Sequence, residues 1–298
     1  MDTFQSQIEE FSNYIQNERR LSPHTLTAYQ TDLRQFQYFL EETLRLKSFT
    51  EGTYNEIRMW IIHLKENEIS NRSINRKIST LKSLFKYFIT KQKVKVNPML
   101  KIIAPKQSKK LPVYFDQKLL NNLFNSEVFT NDFIGIRDIL IMELLYGTGM
   151  RLAELINIKQ TDIDNLEIKV LGKGNKERII PITKNIASFI SLYNEKRKEE
   201  FTTKNNDYLL LTNKGDKLYE KFVYRVVNHY LGLVTNEKKR SPHTMRHSFA
   251  TNMLNNGAQL HTIKEILGHA NLSATQVYTH NTIERLRDAY KKFHPKEN

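Results

Sequence analysis

The chain of 298 residues contains no cysteine. That excludes a disulfide framework, a thiolate nucleophile and any zinc site built on thiolates. Glycine is sparse, ten in all, and only Gly52 precedes residue 110, so the first part of the chain has few glycine turns and reads as helical. No apolar run approaches a membrane span: the most apolar stretch, Ile134 to Tyr146, is broken by Arg137, Asp138 and Glu143. The opening Met1-Asp2-Thr3-Phe4-Gln5 has neither the basic nor the apolar part of a signal peptide, so a cytoplasmic setting without membrane contact is expected. Acidic residues are also in deficit, 32 Asp+Glu against 46 Lys+Arg, which leaves a net charge of +14. Such an excess suits a polyanion, most simply nucleic acid.

What is present divides into two parts. Residues 1–92 read as a helical domain. Ser22-Pro23 is a helix start, and Leu26, Tyr29, Leu33, Phe36 and Leu40 then fall on one face. A second helix is expected from Ser73, with Ile74, Ile78, Leu81, Leu84, Phe85 and Phe88 as its apolar stripe. Its other faces carry Arg76, Lys77, Lys82 and Lys86, with Arg72 just ahead. These five are candidate DNA contacts, because a major groove admits an α-helix; a plain solvated basic face is the alternative. Residues 93–112 read as a basic linker: Asn97-Pro98, Ala104-Pro105 and Leu111-Pro112 break any periodicity amid repeated lysines. Residues 113–298 form the second domain. A buried helix runs from Asp138 to Leu145, another opens at Arg151, and Leu166–Leu171 and Glu177–Ile182 form a β-hairpin around Gly172 to Lys176. Ser241-Pro242 starts a further helix, and a short one is expected to follow Asn271. The fold class is therefore mainly α with a small β-sheet.

Four separated motifs carry the chemistry. They are Gly147-Thr148-Gly149-Met150-Arg151-Leu152-Ala153-Glu154-Leu155, Leu171-Gly172-Lys173-Gly174-Asn175-Lys176-Glu177-Arg178, His243-Thr244-Met245-Arg246, and Leu267-Gly268-His269 followed by Tyr278. An arginine presents a planar fork of donors suited to two phosphate oxygens, and an imidazole can donate to an oxyanion or move a proton. Arg151 sits among Leu144, Leu145, Leu152 and Leu155, where an unpaired cation is costly, so an anion is expected there, with Glu154 as the candidate orienting group. Lys173, at a glycine-flanked hairpin tip, can reach a leaving oxygen as general acid; Lys176 is its rival. The phosphate-loop pattern Gly-x-x-x-x-Gly-Lys-[Ser/Thr] is absent. His243-x-x-x-His247 has Thr244 where a zinc protease needs Glu, so His247 is read as structural and no metal is assigned. His24, His63, His229, His261, His280 and His294 receive no role.

In these motifs and their order the chain resembles the tyrosine recombinases of the phage integrase family. Its size, short tail and Phe293-His294-Pro295 ending are most similar to the Xer subgroup. The resemblance implies a helical, SAM-like core-binding domain followed by a catalytic domain, the two clamped around a duplex. It assigns Arg151, Lys173, His243, Arg246 and His269 to the scissile phosphate and Tyr278 as nucleophile. Cleavage would then leave a 3′-phosphotyrosyl bond that stores the phosphodiester energy, so that neither ATP nor a metal is required and no cofactor is expected. Also implied are four protomers, of one or two recombinase kinds, exchanging strands through a Holliday junction at a dif-like site to resolve chromosome dimers, with a DNA translocase as a candidate regulator. The alternatives are a mobile-element integrase of the same chemistry, a type IB topoisomerase-like enzyme, and a catalytically silent DNA-binding protein. Finally, Ile283, Leu286, Ala289, Tyr290 and Phe293 form an apolar stripe at the chain's end. By resemblance, this C-terminal helix is expected to dock on a neighbouring protomer.

Overall fold

The computed structural model describes residues 3–106, 113–172, 177–202, 206–268 and 280–296. The chain forms two compact units, Met1–Lys110 and Leu111–Asn298.

The first unit is a cluster of helices: α1 (Phe4–Asn13), α2 (Pro23–Leu44), α3 (Tyr54–Glu66) and α4 (Asn71–Thr90). Ser22 caps α2 by accepting from the Thr25 amide, and Pro23 occupies the first turn, where its missing N–H costs nothing. Thr53 and Glu56 form a reciprocal capping box on α3. Leu33, Phe36, Leu40, Trp60, Ile74, Leu81, Phe85 and Phe88 bury their side chains between the helices. Helix α4 begins earlier than Ser73 because Ser70 already caps it, accepting from the Ser73 amide at 3.3 Å; Arg72 therefore lies within the helix.

Two readings of this unit need correction. Lys77 is not a free surface cation: it is 4% exposed, its Nζ lies 3.0 Å from Oδ1 of the fully buried Asp32, and it also donates to Gln35. Asp32 also receives Arg76 at 2.7 Å and Thr80 at 2.9 Å. The carboxylate on α2 needs this compensation, and α4 supplies it. The basic stretch after residue 92 is also not all linker. Met99 and Ile102 bury themselves in the first unit's core, and the side-chain amides of Asn71 and Asn75 hold the carbonyls of Lys106 and Pro105.

The second unit surrounds α6 (Phe133–Thr148), in which every residue from Gly135 to Thr148 is buried. Preceding it is α5 (Gln117–Phe124), and following it are α7 (Leu152–Leu155), the strands β1 (Ile163–Asp164), β2 (Glu167–Leu171) and β3 (Glu177–Pro181), then α8 (Lys184–Glu200), α9 (Glu220–Val234), α10 (Pro242–Asn255), α11 (Leu260–Leu267) and α12 (His280–Phe293). Helices α8 and α10 pack on α6. The charges that interrupt this apolar helix are paired: Arg137 with Asp138 at 2.8 Å, and Glu143 with Lys296. The sheet is antiparallel in the order β1-β2-β3, with Val170 opposite Arg178 and Leu171 opposite Glu177. Strand β1, only two residues long, is too short to give a sequence signal.

In α12, Leu286 and Tyr290 belong to the core of their own unit, and Phe293 packs partly buried against it; the side chain of Ile283 lies outside the described residues. Within the single protomer the described part of this stripe lies beside β3 and α11.

Candidate active site

Helix α6 ends at Gly149, which has φ +61°, and a Cβ there would lie 2.4 Å from Phe249 Cδ1 and 2.7 Å from Leu267 Cδ2. Only glycine satisfies both the left-handed backbone and this close approach. The reversal delivers Arg151 to the N-terminus of α7, where its amide donates to Glu154 Oε2 at 2.7 Å. The Arg151 guanidinium then divides its donors, Nη1 to Glu154 Oε1 and Nη2 to the Gly268 carbonyl, each at 2.8 Å.

Glu154 is 4% exposed and serves two arginines. Arg178 grips it bidentately, at 2.5 Å and 2.8 Å. Burial raises the Glu154 pKa, but the hydrogen bonds and charge of Arg178, joined by those of Arg151, outweigh it and leave the carboxyl below its ordinary value. Arg178 received no role from its sequence motif. The signal was the two-residue alternation of β3, which places Arg178 on the same buried face as Ile180, where a charge requires a partner. Gly268, at φ +64°, makes room for it: a Cβ would meet the Arg178 side chain at 3.0 Å.

Arg246 comes from α10, whose start at Ser241-Pro242 is as the sequence indicates: Ser241 accepts from the Thr244 amide and Pro242 sits in the first turn. Arg246 is 8% exposed, and its guanidinium is held by two carbonyls, Gly149 at 2.5 Å and Leu267 at 2.8 Å. Burial, followed by the charge of Arg151 and a smaller contribution from Arg178, brings its pKa down to about 10 against the opposing pull of Glu154. Arg151, Arg246 and His243 line one cleft of about 300 Å³, together with Met150, Leu152, Tyr224 and Pro242. His243 is exposed at its rim, and His247, one turn along α10, has a lowered pKa from burial and from His243. Two guanidiniums facing one cleft, one of them anchored among the described residues by neutral carbonyls, favour a doubly accepting anion.

Of the six residues expected to act together, the structure thus brings together Arg151, His243 and Arg246. Lys173, His269 and Tyr278 lie outside the described residues. Among the candidate DNA contacts, Arg72, Arg76, Lys82 and Lys86 are exposed on α4, Arg76 while also paired with Asp32, and Lys77 is buried.

Residues 115–285 match the phage integrase family, and residues 8–92 match the phage integrase N-terminal SAM-like domain. The chain is 41% identical over 294 residues to the tyrosine recombinase XerC of Staphylococcus epidermidis, covering 97% of each. To the XerC of Staphylococcus aureus it is 40% identical over 291 residues, covering 97% of this chain and 96% of that one. Among solved structures, it is similar to the XerH site-specific recombinase bound to palindromic difH substrate in a post-cleavage complex, with a TM-score of 0.71 at 23% identity, covering 95% of this chain and 84% of that one. A lambda integrase (75–356) dimer bound to a COC′ core site gives a TM-score of 0.66 at 18% identity, covering 93% and 100%. These two likenesses are of fold.

Proposed function

Because the chain belongs to the phage integrase family of tyrosine recombinases, in its Xer subgroup, we propose that it cuts and rejoins double-stranded DNA at a dif-like site, and that its biological task is to resolve chromosome dimers in the cytoplasm. The observation that carries the reading is the cleft in which Arg151 and Arg246 converge beside His243. A phosphodiester seated there places its non-bridging oxygens against two guanidinium forks whose other donors are already committed to Glu154 and to backbone carbonyls.

In this mechanism the phenolic oxygen of Tyr278 attacks phosphorus, with His243 helping to take its proton. The bond from phosphorus to the 5′-oxygen breaks, and Lys173 supplies the proton that oxygen needs. The product is a 3′-phosphotyrosyl link and a free 5′-hydroxyl, one phosphoester bond having been exchanged for another. Reversal with a different 5′-hydroxyl joins the exchanged strand without ATP. His269 donates to the phosphoryl oxygens, and the assembled cations take the place of a divalent metal. Arg72, Arg76, Lys82 and Lys86 on α4 contact the duplex. Four protomers, alone or with a second tyrosine recombinase, pass through a Holliday junction, with a DNA translocase as regulator. Support for the Xer role comes from the XerC relatives, which match across nearly the whole chain.

Strand exchange tests the reading. Two duplexes carrying the palindrome that the protein protects in a footprint, one end-labelled, are expected to give labelled recombinants with the wild-type chain and none with Tyr278→Phe. Binding without exchange by the wild type, alone and with a partner recombinase of the same source, contradicts it.

A further inference from the structure

The last turn of α6 leaves carbonyls without intrahelical partners, and that of Gly147 is buried. Its donors come from the other end of the chain. The Tyr290 hydroxyl donates to it at 2.7 Å and the His294 ring at 2.8 Å. The Lys296 amide donates to His294 Nδ1 at 3.1 Å, which leaves Nε2 as the protonated nitrogen that reaches Gly147. Tyr290 is 2% exposed and His294 is fully buried. Around them Lys296 pairs with Glu143 on α6, and the Asn256 side-chain amide holds the Phe293 carbonyl at 3.2 Å. The segment from Tyr290 to Lys296 is thus fixed to the one turn of α6 that precedes the arginine-bearing reversal.

We propose that Tyr290 and His294 are positioning residues for the two cleft arginines: by sharing the Gly147 carbonyl they fix the Gly147–Arg151 segment against which both guanidiniums are aligned. This rests on the recombinase reading of the cleft. The connection is short and continuous. Gly149, just beyond the clamped carbonyl, offers its own carbonyl to Arg246, and Arg151 follows before α7 begins. Releasing Gly147 leaves a buried carbonyl unsatisfied at a helix end that has no further turn to hold it. A shift of the segment then moves Arg151 directly and Arg246 through its bond to Gly149. Neither Tyr290 nor His294 lines the cleft, so the effect belongs on the rate of reaction rather than on DNA affinity.

The test uses His294→Ala, His294→Gln and Tyr290→Phe in the full chain, with a nicked duplex carrying the palindrome protected by the wild type. Covalent attachment at saturating DNA is expected to slow at least ~10-fold in His294→Ala and measurably in Tyr290→Phe, the half-saturating DNA concentration changing less than about threefold. His294→Gln, whose amide can donate to the same carbonyl, is expected to recover most of the rate. Tyr290→Phe keeps the ring and loses one donor, so it remains informative if His294→Ala folds poorly. Attachment by both His294→Ala and Tyr290→Phe at the wild-type rate overturns the proposal, as does a defect confined to half-saturation or one that His294→Gln leaves unrelieved. Hydrogen exchange separates this from failure of the recombinase reading. Faster exchange at Gly149–Arg151 in the variants is expected whether or not an adduct forms, and unchanged exchange there overturns the positioning role. A wild-type chain that forms no adduct removes the reading and leaves the exchange result to decide the clamp.

Discussion

Arg246 is held by the carbonyls of Gly149 and Leu267 and so keeps its full charge for a ligand, whereas Arg151 and Arg178 share the charge of Glu154. A lysine at position 246 cannot span two carbonyls and a phosphate, because it presents a single flexible point charge. Arg246→Lys is therefore expected to reduce single-turnover cleavage by about 100-fold or more while leaving DNA affinity nearly unchanged. A cleavage rate within a few-fold of wild type would remove Arg246 from the clamp. His294 provides a pH test. Burial is the main cause that brings its pKa from 6.5 to about 4, with Lys296 adding to the shift and the Gly147 bond opposing it. The folded value is depressed, so the neutral ring's stabilisation is present above about 6.5 and is lost as pH falls toward 4. Glu154, lowered from 4.5, adds a loss at still lower pH. Thermal stability is thus expected to fall more steeply from pH 7 to pH 5 in the wild type than in His294→Gln; equal slopes would mean that His294 titrates as an exposed ring. At this scale, Arg151, His243 and Arg246 were legible because local motifs carry them. The burial of Arg178 could be read from the alternation of β3, but its partner Glu154 could not, and neither could the pairing of Lys77 with Asp32, because both carboxylates are distant in the chain.

Helix α4 shows how an element can be read correctly and one of its faces misread. Its apolar stripe predicts the helix, but Lys77 turns inward to Asp32 while Arg72, Lys82 and Lys86 stay exposed. Neutralising those three is expected to flatten the slope of log affinity against log salt by close to one unit for each phosphate the helix no longer neutralises. An unchanged slope would return the face to simple solvation. Lys77→Met is expected to act on folding instead, at a cost of about 2 kcal/mol, less than for a fully orphaned buried charge because Arg76 and Thr80 still serve Asp32. Chemical denaturation measures it, and a stability equal to wild type would show that the pair contributes nothing. The hairpin strands and the α10 start were legible from alternation and from Ser-Pro chemistry. The partners of α12 within its own unit were not, because an apolar stripe specifies that a groove is needed without saying which.

Across the whole molecule, the net charge of +14, the order of the motifs and the helix-rich composition point to a two-part DNA enzyme, and the structure divides into two compact units. The division was less legible in its details, since Met99 and Ile102 are apolar anchors set among prolines and lysines that otherwise read as linker. The central claim is that Tyr278 attacks a phosphodiester held by cationic side chains with no metal involved. Trapping the protein on a nicked duplex in excess EDTA, followed by peptide mapping of the adduct, tests it most directly. The account predicts a 3′-phosphate linked to the peptide containing Tyr278, at the same yield with and without the chelator. An adduct on another tyrosine, or one that forms only when magnesium is restored, would contradict it.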